Sequence, residues 1–309
     1  MERDILKMQT RIKKIKLKGN ESFNFREGWL RKGIRCIEQY PSLFSRDDVM
    51  EQLGVGSKMV KSIKYWLLAT GICKERIINK GRGRALYLTD DVGEIINKYD
   101  PYFDDIFTLL ILHYQIVKND ALCVVWNIFF NEYNGVDFTR DDMTSVCKTF
   151  LEKRMEKEST FSEKLFNDDC SSVIRMYYSA SDAEDPEESL QCPLVSLGLL
   201  SRSTRVKNAY IKTAPTREIL DKMAVLYVIV SNLGEGKKSV SINELVNAPN
   251  NIGRLFNMNR VRINEYLDQL RVAGCLTINR TAGLDMVYIN EELDARGILV
   301  KYYEKSQMR

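Results

Sequence analysis

Histidine, proline and paired cysteines are scarce in this chain. Its 309 residues include one histidine and six prolines, and its seven cysteines form no Cys-x-x-Cys pair. An odd, scattered set of cysteines argues against a disulfide framework. Because zinc sites are built mostly from cysteine and histidine, the sequence predicts no metal site of that kind.

The glycine-containing motifs of several enzyme classes are also missing. The sequence contains no P-loop, no G-x-G-x-x-G fingerprint and no G-x-S-x-G motif. These absences remove support for P-loop nucleotide hydrolases, for dinucleotide-dependent enzymes and for esterases that use the last motif.

The hydrophobic runs are short. The longest, 106–117 and 121–130, are separated by three polar residues, and each is shorter than the ~18–20 apolar residues that a bilayer requires. We interpret them as buried helices. Residues 2–4 are charged, unlike the start of a signal peptide, so we expect a cytoplasmic protein without membrane contact.

Charge is distributed unevenly along the chain. The net charge is +4, but residues 1–84 carry 20 basic and 9 acidic residues, residues 85–198 carry 9 and 22, and residues 199–309 carry 17 and 11. Two basic ends therefore flank an acidic middle. Phosphate neutralisation supplies most sequence-independent affinity for DNA, so the basic ends indicate a nucleic-acid partner. Charges that merely solvate the surface are the alternative.

Residues 26–99 follow the order of a winged helix-turn-helix. An apolar helical stripe begins at Trp29, and a capping box at 45–48 predicts the start of a second, short helix. Ser57 is the predicted N-cap of a third helix. Two strand-like segments then enclose a loop, 79–84, that is rich in glycine and arginine.

In such folds the third helix enters the major groove of DNA, and the hairpin contacts the adjacent backbone or minor groove. Arginines next to glycines suit close approach to a narrow groove. The predicted DNA-binding residues here are Ser57, Lys58, Lys61, Lys64, Lys80, Arg82 and Arg84, with Arg26, Arg31 and Lys32.

The pattern recurs 203 residues later, where Val60 and Gly71 correspond to Ile263 and Gly274. In the third helix of this second copy, acidic residues accompany the basic ones. A protein-contact or dimerisation role therefore stays open beside DNA binding. The predicted DNA contacts of this copy are Arg260 and Arg262.

The fold class that these patterns predict is mainly α with small β-hairpins. Winged helix-turn-helix domains at both ends would flank a helical middle domain, in which 181–189 is an acidic surface loop. A long helix is expected to open at Pro215. The predicted divisions are a basic arm at 1–24, then 25–99, 100–214 and 215–309.

Several motifs, in order along the chain, resemble a bacterial protein family. They are GNESF at 19–23, Arg26 with GWLRKG at 28–33, LGVGSKMV at 53–60, IKYWL at 63–67, DPY at 100–102, LHY at 112–114, FFN at 129–131, and CPL with LGL between 192 and 199. By these motifs the chain is similar to the bacterial domain-of-unknown-function family four thousand and seven, which includes the SspB-like proteins.

That resemblance implies a role in sulfur modification of the DNA backbone, or in the associated defence against phage and other foreign DNA. It also implies other proteins of a phosphorothioation gene cluster as partners. SspB-like proteins are described as nicking DNA, so the resemblance also implies a nickase activity as a hypothesis for this chain.

One position departs from the family. Its opening motif usually has histidine before the glutamate, whereas this chain has Asn20, so any chemistry of that histidine would be missing. The only histidine, His113, stands in an apolar segment without neighbouring acids. This setting predicts a buried side chain with its hydrogen bonds satisfied.

Strand scission usually needs carboxylates that hold a divalent cation. The catalytic candidates are Asp100, Asp104 and Asp105, in a turn before a predicted helix, although helix capping explains such acids more simply. Mg²⁺ or Mn²⁺ would be the cofactor only if the protein nicks DNA.

The sequence therefore predicts a protein that binds double-stranded DNA through its N-terminal winged helix and positions it for phosphorothioation enzymes. A nicking enzyme is one alternative, and a winged-helix transcription regulator without enzymatic activity is another. A homodimer is also compatible, because helix-turn-helix proteins often dimerise to span two half-sites.

Overall fold

The structure is a computed structural model that describes residues 15–179, 192–234, 236–281, 284–290 and 292–308. The basic residues before Ile15, the acidic stretch 181–189 and the tip of the second hairpin, 282–283, lie outside the described residues.

Helices dominate the fold, and the strands form small antiparallel sheets, as the sequence predicted. The helices are α1 (Trp29–Gln39), α2 (Val49–Leu53), α3 (Ser57–Ala69), α4 (Gly93–Tyr99), α5 (Ile106–Lys118), α6 (Val124–Asn131), α7 (Arg140–Arg154), α8 (Glu163–Tyr177), α9 (Lys222–Asn232), α10 (Ile242–Asn247), α11 (Ile252–Leu255), α12 (Arg260–Val272) and α13 (Ala295–Gln307). The strands are β1 (Cys73–Ile78), β2 (Gly83–Leu88), β3 (Asp137–Phe138), β4 (Leu200–Arg202), β5 (Tyr210–Lys212), β6 (Ser239–Ser241), β7 (Leu276–Thr281) and β8 (Leu284–Ile289).

The first helix–hairpin unit comprises α1 to α3 with the β1–β2 hairpin. Helix α1 crosses α3 closely because Gly33 has no side chain: a Cβ there would lie 2.8 Å from Leu67 Cδ1. The hairpin is antiparallel, with Cys73 opposite Leu88 at its base. Three helices and a hairpin therefore surround one apolar centre that includes Ile63 and Trp66.

Two helix starts in this unit differ from the prediction. The expected capping box at 45–48 does not form, because Arg46 pairs with Asp48 at 2.7 Å and α2 begins only at Val49. Ser57 is the first residue of α3 rather than its cap, and Gly56 takes the N-cap position.

A second unit near the C-terminus repeats this arrangement. Helix α12 begins and ends 203 residues after α3 begins and ends, and β7 follows β1 at the same offset. Strand β8 starts at 284 rather than 286, so its loop is two residues shorter than the β1–β2 loop. A further strand, β6, pairs with β8.

The helix expected from Pro215 starts later. Helix α9 begins at Lys222, where the Asp221 carboxylate accepts a hydrogen bond from Met223 N at 2.6 Å. This cap fixes the start of the helix and leaves 215–221 outside it. The cap expected at Thr139 is confirmed: Thr139 and Asp142 form a capping box at the start of α7.

The middle helices α5, α6 and α8 carry most of the largest fully buried side chains and join the two units. His113 of α5 is fully buried: its Nδ1 lies 2.8 Å from the Tyr177 hydroxyl of α8, and its Nε2 lies 3.0 Å from the Leu255 carbonyl of α11. The prediction for this histidine is confirmed.

The C-terminal helix closes back onto the first half of the chain. Tyr303 of α13 stacks on Tyr99 of α4, and its hydroxyl lies 2.7 Å from Thr108 Oγ1 of α5. The buried core consequently runs through both helix–hairpin units and the helices between them. Among the described residues, no helix combines the length and apolar character needed to cross a bilayer.

Candidate nucleic-acid interface

The N-terminal half of α3 presents polar and basic side chains to solvent. Ser57, Lys58 and Lys61 are exposed, whereas Ile63 and Leu67 on the inner side are completely buried. The apolar stripe therefore anchors the helix and leaves its first two turns free to contact another molecule.

Lys64, one turn after Lys61, is connected to the hairpin through Glu75. Its ammonium lies 2.7 Å from the Glu75 carboxylate, which also accepts a bond of 2.5 Å from Arg84. Burial alone would raise the pKa of Glu75, but the hydrogen bonds from Lys64 and Arg84 outweigh it and lower that pKa. The predicted contacts Lys64 and Arg84 thus share one negative charge, which joins α3 to the hairpin.

The hairpin turn continues this surface beyond Arg84. Lys80 and Arg82 are both exposed, and Lys80 adopts a left-handed backbone conformation with φ of +53°. Arg82 lies in the turn just before β2, and Arg84 lies within β2; both side chains are exposed. The cationic residues of helix and ribbon are therefore continuous through the Lys64–Glu75–Arg84 link.

The family's opening segment lies against α3. Glu21 is 3.7 Å from the ammonium of Lys61, whose side chain remains 67% exposed. The carbonyl of Phe23 accepts a hydrogen bond of 2.9 Å from Trp66 Nε1. The opening segment is thus held by the buried side of α3 and touches its basic side only through a long ion pair.

The predicted contacts of the α1 region have different surroundings. Arg26 stacks against Phe23 and Trp29, with centroid distances of 5.9 and 5.6 Å. The Arg31 guanidinium lies 3.7 Å from the ring centre of Tyr102. Lys32 is exposed.

In the second unit, the predicted cations are already engaged. Arg260 pairs with Asp285 of β8 at 2.5 Å, and Arg262 donates a hydrogen bond to the Pro215 carbonyl. Glu265 of the same helix pairs with Arg217. Acids therefore offset part of the positive charge at α12, whereas Lys58 of α3 has no ion pair among the described residues.

Glu75 and Tyr102 are the residues that the sequence analysis did not identify. Glu75 offsets one of the two positive charges of Lys64 and Arg84, and Tyr102 holds Arg31. Glu75 could have been suspected as the only acid of the predicted hairpin. The contact of Tyr102 with α1 has no local sequence signal, because it depends on tertiary packing.

Two of the three carboxylates considered for catalysis accept hydrogen bonds from backbone N–H groups. Asp100 is buried and accepts hydrogen bonds from Asp104 N, Asp105 N and Thr108 Oγ1, at 3.1, 3.1 and 2.5 Å. Asp105 caps α5 through Phe107 N, and Asp104 is exposed. This arrangement stabilises the turn before α5.

A divalent cation does not fit the donor set that the structure describes. Within 15–179 and the other described ranges, no three side chains among histidine, cysteine, aspartate and glutamate converge as a metal site would require. We therefore derive no Mg²⁺- or Mn²⁺-dependent step from these residues.

Asn20, at which the sequence was expected to depart from the family motif, is buried. Asn20 Oδ1 accepts a hydrogen bond from Ser22 N, while its Nδ2 has no hydrogen-bond partner among the described residues. Two residues before Asn20, the backbone N–H of Lys18 donates a hydrogen bond of 2.9 Å to the buried Asp169 carboxylate. Burial raises the pKa of Asp169 to about 7. Asn20 therefore helps fold the opening segment instead of facing solvent.

Two solved structures share this architecture. A crystal structure of SspB and a crystal structure of magnesium-ion-bound SspB each match with a TM-score of 0.81 and 24% sequence identity, covering 95% of this chain and 89% of the other. At this identity the likeness establishes the fold. A search of curated proteins finds no significant match.

The sequence itself carries the family relationship. The family described as protein of unknown function (DUF4007) matches residues 17–303, which include the opening segment, both helix–hairpin units and the middle helices. The chain therefore belongs to the DUF4007 family.

Proposed function

We propose that the protein binds double-stranded DNA through the α3–hairpin surface, which consists of Ser57, Lys58, Lys61, Lys80 and Arg82. The observation that carries this proposal is the absence of charge neutralisation. In the described part of the chain, no ion pair involves Lys58, Lys80 or Arg82, and Lys61 has only the 3.7 Å contact with Glu21. Unpaired cations on a continuous surface are what phosphate binding requires.

The order of elements supports a winged helix for both units. Each has a helix followed by a shorter helix, a long helix and an antiparallel hairpin. In such folds the long helix contacts the major groove. The ion pairs of Arg260 and Glu265 on the outer side of α12 favour a protein-contact role for the second unit, in a homodimer or with another protein.

Membership of the DUF4007 family and the SspB-like fold support a place in a DNA phosphorothioation system. In this proposal the protein holds duplex DNA for partner enzymes. Lysines that contact phosphates give little base discrimination, so loose or short sequence preference is expected. A transcription regulator would instead prefer one operator strongly.

Removal of two α3 cations tests the DNA surface. We expect the Lys58→Ala/Lys61→Ala variant to bind duplex DNA more weakly and to reduce the slope of log affinity against log salt by about two, since each phosphate contact contributes about one. Fluorescence anisotropy with a labelled duplex over a range of salt concentrations measures both quantities.

A control with the same change in net charge is Lys157→Ala/Lys164→Ala, at two exposed lysines, one in the loop between α7 and α8 and one in α8. Its affinity and salt slope should stay close to those of the unaltered protein. If both double variants behave alike, only net charge matters and the α3–hairpin surface is not the binding site.

The proposal assigns DNA binding, and the acids considered for catalysis give nicking no support because Asp100 and Asp105 accept backbone hydrogen bonds that hold the turn before α5. Supercoiled plasmid incubated with the protein and Mg²⁺ or Mn²⁺ is therefore expected to remain supercoiled. Catalytic conversion to the nicked form, abolished by Asp100→Asn, would contradict this expectation and identify an enzyme.

A further inference from the structure

A cavity of about 280 Å³ lies between the middle helices and the second helix–hairpin unit. Phe130 and Tyr133 line one part of it, and the other walls come from the loop 134–136, from β5 and from the segment around α11. Two cationic side chains, Lys212 and Arg254, line the same cavity. It is formed by elements other than α3 and the first hairpin.

Lys212 is held by neutral groups. Its ammonium donates hydrogen bonds to the carbonyls of Phe129 and Tyr133, at 2.5 and 2.9 Å, and lies 4.4 Å from the ring centre of Phe129. An ammonium has three N–H groups, so one remains for another acceptor. Burial lowers the pKa of Lys212 to about 7, which reflects the missing negative partner.

Arg254 is also bonded only to neutral acceptors. Its Nη1 donates to the side-chain oxygen of Asn134, and its Nε donates to the Asn247 carbonyl at 3.3 Å. The guanidinium is partly buried and retains further N–H groups. Its positive charge lowers the pKa of Lys212 further, because the two cations repel each other across the cavity that both line.

The acids nearest in sequence are committed elsewhere. Glu132 binds Arg154, and Asp137 pairs with Arg205 at 2.8 Å. No aspartate or glutamate lines the cavity among the described residues. Two partly buried cations that line one cavity without a counter-charge repel each other, and an anion entering the cavity would relieve that repulsion.

We propose that this cavity binds a phosphate monoester through Lys212 and Arg254. A monoester carries close to two negative charges at neutral pH, and its charge would favour the protonated form of Lys212. The bound monoester would then match two cations, whereas a carboxylate would leave one of them uncompensated. Arginine donors fit phosphate oxygens in pairs, and lysine adds a point charge. Phe130 and Tyr133 provide an apolar wall for the group that the phosphate carries.

Inorganic phosphate titrated into the full chain at constant ionic strength is the first test, with isothermal calorimetry as the measurement. We expect saturable binding that Arg254→Gln weakens at least tenfold, about the loss expected for one charge-assisted hydrogen-bonding group. Lys212→Met should weaken it as well. If that variant fails to fold, Arg254→Gln still decides the question.

Arg140→Gln is the control, because it removes one exposed arginine of α7 outside the cavity and should leave phosphate binding unchanged. The Lys58→Ala/Lys61→Ala variant should also bind phosphate normally, which separates this site from the DNA surface. The proposal is wrong if the protein shows no binding at phosphate concentrations up to about 10 mM. It is also wrong if the Arg254→Gln variant binds phosphate as tightly as the unaltered protein.

Two sources of the same chemistry can then be distinguished. Adenosine monophosphate represents a free nucleotide, and a duplex with a 5′-phosphate end represents a DNA terminus. A preference of the 5′-phosphate duplex over its 5′-hydroxyl counterpart, lost in Arg254→Gln, would assign the site to DNA ends. Tighter binding of adenosine monophosphate than of either duplex end would assign it to a free nucleotide.

Discussion

Lys61 and Lys64 stand one turn apart on α3, yet they have different environments. Lys61 is largely exposed with a distant acid, whereas Lys64 is mostly covered and bound to Glu75 at 2.7 Å. The difference arises from the hairpin, which brings Glu75 beside the second lysine only. At the residue scale, the chemistry of a side chain is therefore set by the element packed against it.

His113 shows the same dependence and leads to a pH prediction. Burial lowers its pKa from 6.5 to about 4. Because the Leu255 carbonyl can only accept, Nε2 carries the proton and Nδ1 accepts from the Tyr177 hydroxyl. As the pH falls from about 6.5 to 4, the unfolded chain takes up a proton that the folded protein excludes, so this histidine reduces the free energy of unfolding by up to about 3 kcal/mol.

Proton NMR can follow this side chain directly, since it is the only histidine in the chain. We expect the imidazole signals of the folded protein to remain unshifted between pH 7 and 5. A midpoint near 6.5 would show that the ring is accessible to solvent and that the hydrogen bonds to Tyr177 and Leu255 do not persist.

At the scale of elements, sequence patterns correctly predict the helices, helix ends and hairpins that depend on interactions between residues close in sequence. The apolar stripe of α3 and the glycine after it, Gly71 with φ of +69°, fix the helix and its end. The same pattern 203 residues later correctly predicts α12, Gly274 with φ of +72° and the β7–β8 hairpin. The capping box at Thr139 is equally local and was predictable for that reason.

Competing local interactions explain the wrong predictions. Ser45 and Asp48 have the spacing of a capping box, but the Arg46 side chain binds Asp48 instead. Pro215 can begin a helix, yet Asp221 provides the cap that α9 uses. Sequence spacing alone does not determine which of two such partners is chosen.

The candidate sites depend on contacts between distant segments. The link from Lys64 to Arg84 requires the hairpin register that places Glu75 opposite Leu86. The paired cations Lys212 and Arg254 come together only when β5 packs beside α11. Neither arrangement follows from residue spacing. The sequence could therefore identify the basic α3 region but not the pairing of Lys212 with Arg254.

At the scale of the whole molecule, the continuous core predicts that the two halves unfold together. Tyr303 of α13 stacks on Tyr99, and its hydroxyl lies 2.7 Å from Thr108, which in turn binds Asp100. We expect Tyr303→Ala to lower the free energy of unfolding by about 3–5 kcal/mol, because it removes a buried aromatic side chain. Tyr288→Ala, at a tyrosine that is 44% exposed, should cost less than about 1 kcal/mol.

The three tryptophans make this coupling measurable, because Trp29, Trp66 and Trp126 are all buried in the first half of the chain. Their fluorescence follows that half during urea unfolding, while far-UV circular dichroism follows every helix. Since α13 contacts α4 and α5, Tyr303→Ala should shift both midpoints equally and keep them coincident. A fluorescence midpoint that stays unchanged while the dichroism midpoint falls would mean that the C-terminal part unfolds separately, and that α13 contributes nothing to the stability of the first helix–hairpin unit.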